Sequence, residues 1–207
     1  LVPSLATAIG SSGDRPAALA ELIGTILNDG VRMPTLRIDS LHFAAGTPYE
    51  TRVVNDPHVG KRVMPVEVAR AMREALSQVV DAGTAKRVSG SFKLPDGTPL
   101  AMGGKTGTGD NRIAAIGSGG RIISSKSINR TATFVFYIGD HHFGTLTAFV
   151  PGRSAENFKF TSALPTQVLK GMAPILTPYL QPGSDSQCRP AQNIGMALID
   201  PGQRARQ

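Results

Sequence analysis

Met102-Gly103-Gly104-Lys105-Thr106-Gly107-Thr108-Gly109 reads as a strand that carries four glycines. Glycine weakens a strand interior, so it is kept there mainly where another backbone or a ligand comes close. Gly103-Gly104 most simply permits close strand packing. The run follows a turn at Leu94-Pro95-Asp96-Gly97-Thr98, and the strand is expected over Leu100 to Thr108. Standing alone, Lys-Thr-Gly occurs often by chance and describes a glycine-rich hairpin with an exposed lysine. Its meaning depends on what flanks it.

Upstream, Asp14-Arg15-Pro16 marks a helix start with proline at the first turn. Ala17 to Asn28 is expected to be helical, with Gly30 as its stop. Pro34 to Val54 reads as a hairpin, with Leu36, Ile38 and Leu41 apolar and the turn at Gly46-Thr47-Pro48. Asn55 to Val63 is expected to be a loop. Pro65 opens a second helix to about Val80, where Val66, Val68, Ala69, Met72, Ala75, Leu76 and Val79 recur near helical period. Gly83-Thr84-Ala85 ends it.

Downstream, Gly109 to Gly120 is expected to be a glycine-rich loop. Thr131 to Gly139 and His142 to Val150 read as two strands joined at Gly139-Asp140-His141. Pro165 to Leu180 is expected to be a helix that Pro174 kinks or splits. Residues 181–207 read as a polar, flexible tail, which leaves 1–180 as the folded part. Helices and antiparallel hairpins alternate without a βαβ rhythm, so the fold class is α+β, an antiparallel sheet flanked by helices.

The chain has 207 residues, 41% of them apolar, enough for one domain with a core. One cysteine, Cys188, excludes an intrachain disulfide and a multi-cysteine metal site. No apolar run reaches the roughly 18 residues of a membrane-spanning helix. The net charge is +7, which attracts polyanions. No dense basic run with interleaved aromatics accompanies it, so nucleic acid is not an expected partner. His141-His142 would point to opposite faces of a strand, which does not make a chelate. No metal or cofactor is expected. Met64, Met72, Met102 and Met172 read as core fillers. Arg121 and Arg130 read as solvated cations beside a glycine/serine loop.

The ordered set of segments resembles the C-terminal half of the transpeptidase domain of class A penicillin-binding proteins. Val2-Pro3-Ser4-Leu5-Ala6 is similar to the segment that follows the family's Ser-x-Asn motif. Pro16 to Gly30 resembles the next helix, and Arg37 to Val54 the family hairpin. Met72-Arg73-Glu74-Ala75 through Gly83-Thr84-Ala85 resembles the helix and turn before the active-site strand. Lys105-Thr106-Gly107-Thr108 resembles the Lys-Thr-Gly motif itself. The series covers roughly residues 2 to 150. It departs from the family after the strand, where Gly109-Asp110-Asn111-Arg112 leads into a long glycine/serine stretch and no tryptophan follows. Arg15 stands where a threonine is usual.

The resemblance implies a serine β-lactamase-like fold and a D,D-transpeptidase. A serine attacks the penultimate D-alanine carbonyl of a stem peptide, and an amine of a neighbouring stem resolves the acyl-enzyme into a cross-link. Lys105 and Thr108 are the implied catalytic residues, and Lys105, Thr106, Gly107 and Thr108 the implied substrate-binding ones. Lys105 would hold the substrate carboxylate and bias proton transfer. The hydroxyls of Thr106 and Thr108 would donate to that carboxylate. Gly107 would let substrate backbone lie along the strand. The Thr108 N–H would be half of an oxyanion hole. Implied partners are peptidoglycan stem peptides, β-lactams, the upstream half of the same domain and a glycosyltransferase domain. The implied location is the periplasmic face of the bacterial inner membrane.

None of the seven lysines has a serine three residues before it, so the Ser-x-x-Lys nucleophile motif is absent from these residues. Ser127-Ile128-Asn129 matches Ser-x-Asn literally but follows the Lys-Thr-Gly strand instead of preceding it, and reads as coincidence. The nucleophile-bearing part is therefore expected upstream of Leu1, with this chain inactive alone. A β-lactamase of related fold would need a deacylating base that no segment clearly supplies. The other alternative is a non-catalytic, degenerate penicillin-binding fold that binds cell wall or assembly partners.

Overall fold

The computed structural model describes residues 14–38, 40–54 and 59–180. Val2 to Ala6 and the expected tail lie outside these. At the centre is an antiparallel sheet in the order β5-β8-β9, made of β5 (Met102–Gly109), β8 (Asn129–Ile138) and β9 (His142–Pro151). Lys105 pairs with Val135 and Thr108 with Ala132, while Val135 pairs with Thr145 across the other edge of β8. β8 and β9 turn at Gly139, whose φ is +63°, a conformation cheap only for glycine.

Both sheet faces are covered, which explains the alternation along β8. Phe134 and Ile138 join Met102, Val80, Val88, Phe92, Leu169 and Ala173 in one core cluster. Val135 and Tyr137 face the other way, onto Ile23 and Ile26. Side chains alternate along a strand, so α1 (Pro16–Leu27) covers the odd face of β8 and α3 (Ala163–Leu176) the even face. Gly24 lets α1 approach closely, since a Cβ there would lie 2.5 Å from the Phe143 ring.

α1 ends where expected. Gly30 sits at φ +83°, its N–H donates to the Thr25 carbonyl, and a Cβ would collide with the Met64 carbonyl oxygen. α2 (Val66–Asp81) carries its buried residues at Ala69 and Val80 with Leu76 partly buried between them. That stripe is narrower than the sequence pattern: Val68 and Met72 are exposed. The expected hairpin is β2 (Ser40–Phe43) with β3 (Thr51–Val54), and Leu36 and Ile38 lie exposed before it. The expected loop after it holds β4 (Lys61–Arg62), which pairs with β1 (Val31–Arg32).

Two expectations need correction. The segment Gly109 to Gly120 is not simply a loop: β6 (Arg112–Ile116) pairs with β7 (Ile122–Ser127) as a separate two-stranded hairpin. Glycine content hid it, because the glycines cluster at the turn and leave the flanking Ile/Ala and Ile/Ser runs free to pair. Pro174 does not split the last helix, because it lies only two residues before the helix end at Leu176. A single 3₁₀ turn, Thr177–Tyr179, then replaces the expected continuation.

Candidate active site on the edge strand

Among the described residues β5 is the last strand of its sheet, and only β8 pairs with it. The Gly139 N–H donates to the Ala101 carbonyl at 2.7 Å, and these two continue the β5–β8 register. Hydrogen-bonded pairs alternate in an antiparallel ladder. Odd residues of β5 therefore bond to β8, and the N–H and C=O groups of Thr106 and Thr108 point to the outer edge. The strand is covered over its first half and open over its second: Met102, Gly103 and Gly104 are buried, while Lys105 and Gly107 to Gly109 are exposed.

The glycines divide along the same line. A Cβ on Gly103 would strike the Tyr137 ring, and one on Gly104 the Val135 carbonyl oxygen. These two serve packing, as the sequence indicated. Nothing among the described residues lies within 4 Å of a Cβ built on Gly107. The chain's own packing does not require glycine there.

Lys105 reaches over the edge, its ammonium donating to the Thr106 carbonyl at 2.6 Å. Thr106 is 8% exposed, and its hydroxyl lies 2.6 Å from that of Thr84. Thr108 points to the face that carries α3, where its Oγ1 accepts from the Ser162 N–H at 2.8 Å. That leaves the Thr108 hydroxyl proton available to donate. Of the four residues singled out in sequence, Lys105, Gly107 and Thr108 share the open half of the strand, and Thr106 contributes main-chain groups there while its side chain turns inward.

Two contributors were not legible in sequence: the Thr84 hydroxyl, quoted only as part of a turn, and the Ser162 N–H at the start of α3. A Gly-Thr turn just upstream of a buried strand threonine was the available signal for the first. Nothing signalled the second, since it is a contact across 54 residues.

Below the strand, Tyr137 donates its hydroxyl to the Arg73 carbonyl at 3.2 Å. The Arg73 guanidinium lies 5.5 Å from the Tyr137 ring centroid and pairs with Asp140. Burial pushes the Tyr137 hydroxyl pKa up, against the pull of Arg73, so it stays a neutral donor. This ties α2 to the β8–β9 turn and so seats the covered half of β5.

Beyond Gly109 the chain is pinned by Asp110. The Ser127 hydroxyl donates to its carboxylate at 2.8 Å and Arg112 at 2.6 Å. These two contacts, Ser127 first, hold the Asp110 carboxyl below its ordinary value. The Asn111 N–H donates to Asn129 Oδ1. The literal Ser-x-Asn at 127–129 is thus occupied in closing the hairpin base. Arg130 is not a solvated loop cation: its Nε and Nη2 both donate to the Phe160 carbonyl, at 3.0 and 2.7 Å, beside the Phe160 ring.

Comparison with known proteins places the fold. A family model described as the penicillin binding protein transpeptidase domain matches residues 3–115, more than half of the 207-residue chain. Among solved structures, penicillin-binding protein A of Mycobacterium tuberculosis, as a ceftriaxone acyl-enzyme complex, is 20% identical with a TM-score of 0.50, over 80% of this chain and 32% of that one. Penicillin-binding protein 3 of the same organism, in its apo form, is 21% identical with a TM-score of 0.48, over 77% of this chain and 34% of that one. The D,D-transpeptidase domain of a peptidoglycan glycosyltransferase from Eggerthella lenta is 20% identical with a TM-score of 0.43, over 74% of this chain and 30% of that one. The chain thus spans about a third of the length of the solved structures it matches. No curated protein matches. The fold is that of penicillin-binding transpeptidases, related to the serine β-lactamases, and the chain belongs to the penicillin-binding protein transpeptidase domain family.

Proposed function

We propose that this chain is the strand-bearing part of a D,D-transpeptidase that cross-links peptidoglycan stem peptides by serine acyl transfer. The observation that carries the reading is the half-open edge strand. Lys105, the outward main-chain groups of Thr106 and Thr108, the free proton of the Thr108 hydroxyl and the open space at Gly107 lie together on it. An extended peptide ending in a carboxylate meets each of these needs: a cation and a hydroxyl for the carboxylate, an N–H for a developing oxyanion, and a ladder for its backbone. The Thr106 hydroxyl would take part only after leaving Thr84. β-Lactams would bind the same groups, since they carry a carboxylate beside a reactive carbonyl.

The nucleophile belongs upstream of Leu1 in this reading. Its narrower form is a class A protein with a glycosyltransferase domain, at the periplasmic face of the inner membrane. The test is intact-mass spectrometry of the protein, with its upstream residues, after incubation with penicillin. A gain of one drug mass, mapped to an upstream serine in a Ser-x-x-Lys sequence, is the expected result. No gain would leave a degenerate wall-associated module as the function.

A further inference from the structure

We propose that the β6–β7 hairpin is a membrane contact, whose tip seats in the headgroup layer of a bilayer that carries anionic phospholipid. The proposal does not rest on the transpeptidase reading. Four isoleucines carry it: Ile113, Ile116, Ile122 and Ile123 are 64%, 68%, 60% and 73% exposed. Exposed apolar side chains gathered on one small element mark a contact surface, where scattered ones would not.

Every residue of β6 is exposed, and so is every residue of β7 except Ser127. Ala114 and Ala115 are strand neighbours and point to opposite faces, yet both are exposed. Neither face of the hairpin is therefore laid against the other described residues. A protein docked on one face would leave the other wet, whereas a lipid interface takes up a tip from both sides. The hairpin is also built to project. Its base is held by the Ser127 and Arg112 contacts to Asp110 and by the Ile128 N–H donating to the Asn111 carbonyl. The five residues of β6 carry the tip roughly 17 Å beyond that base, at about 3.4 Å per residue.

Charge selects the kind of surface. Residues 111–139 contain no aspartate or glutamate. Arg112 is tied to Asp110 and Ser125 at the base. Arg121 and Lys126 are exposed and make no hydrogen bond or ion pair among the described residues. Both stand beside isoleucines: Arg121 precedes Ile122 in the chain, and Lys126 pairs with Ile113 across the ladder. Cations interleaved with apolar side chains, with no acid between them, match a surface that is apolar within and negative at its rim. The turn from Gly117 to Gly120 has no charged side chain. Its main-chain groups stay with headgroups and water, so the insertion is shallow.

The test uses the intact protein with a photo-crosslinking side chain at the tip, Ile123→p-benzoylphenylalanine. It is irradiated with vesicles of phosphatidylcholine alone or of phosphatidylcholine mixed with phosphatidylglycerol, and the adducts are read by mass spectrometry. A lipid adduct on the hairpin is expected, at least about fivefold more abundant with the mixed vesicles, as for basic residues near an anionic surface. Adding Arg121→Gln and Lys126→Gln, both at exposed positions, should bring that yield down to the phosphatidylcholine level. Absence of a lipid adduct overturns the proposal, as does a yield that neither vesicle charge nor the glutamine substitutions move. An adduct to another segment of the protein overturns it too, since the rest of the chain would then cover the hairpin. Penicillin acylation of the same protein is read separately, so the transpeptidase reading and the membrane contact stand or fall independently.

Discussion

At the scale of single residues, the two pairs of glycines and hydroxyls on β5 separate packing from chemistry. Gly103→Ala should destabilise the domain by about 1–3 kcal/mol, the usual cost of forcing atoms into a filled core, because its Cβ has only the Tyr137 ring to displace. Gly107→Ala should leave stability within about 0.5 kcal/mol yet slow acylation of the intact protein, since in the proposed function the open space it fills belongs to the substrate. Denaturant melts set beside acylation rates check both, and a large stability loss at Gly107 would mean that its role is internal. Lys105→Ala should slow penicillin acylation by about 100-fold, as for loss of a preorganised active-site group. A near-normal rate would make the strand structural only. The placement of Lys105, Gly107 and Thr108 on one strand was readable in sequence because the motif is local. The inward turn of the Thr106 side chain was not, because it depends on Thr84, 22 residues away.

At the scale of elements, the hairpin after the site strand is stitched down at one point. The Asp110 carboxyl sits below its ordinary value, so its contribution is complete above that value, 3.8, and disappears as pH falls through the lower folded value. Amide exchange protection at Ile113 and Lys126, corrected for intrinsic rates, should hold down to the ordinary carboxylate value and drop beneath it. The Asp110→Asn protein should show no such step, and a step that survives the substitution would assign it to another group. The helices were legible because their starts and stops are marked by Pro16, Gly30 and Pro65 and by apolar period. The hairpin was not, since β6 and β7 bury almost nothing: every residue from Arg112 to Ile116 is exposed, so no alternation was selected into the sequence. The last helix misled for a related reason. Val168 and Ile175 fit its apolar pattern and yet are exposed, while Thr166 is fully buried with its hydroxyl bonded to the Ser162 and Ala163 carbonyls.

At the scale of the molecule, a three-layer arrangement of helix, sheet and helix places the site strand last in its sheet. Family membership follows from the match over residues 3–115. The ordered series of short segments made that readable, because each fixes a turn or a helix end and together they set the spacing of the fold. The sheet order was not readable, since β5 pairs with a strand that starts 20 residues after it ends, across the hairpin that sequence reasoning took for a loop. With β8 occupied on both sides and β5 on one, the outward N–H and C=O groups of Thr106 and Thr108 face no partner strand among the described residues. Such groups do not distinguish a stem peptide from the strand of another molecule. Two copies meeting edge to edge would join their three-stranded sheets into one continuous sheet of twice the width. Concentrated solutions of the protein are therefore expected to dimerise through the groove itself, and an extended peptidomimetic that fills it should act as a solubiliser as well as an inhibitor.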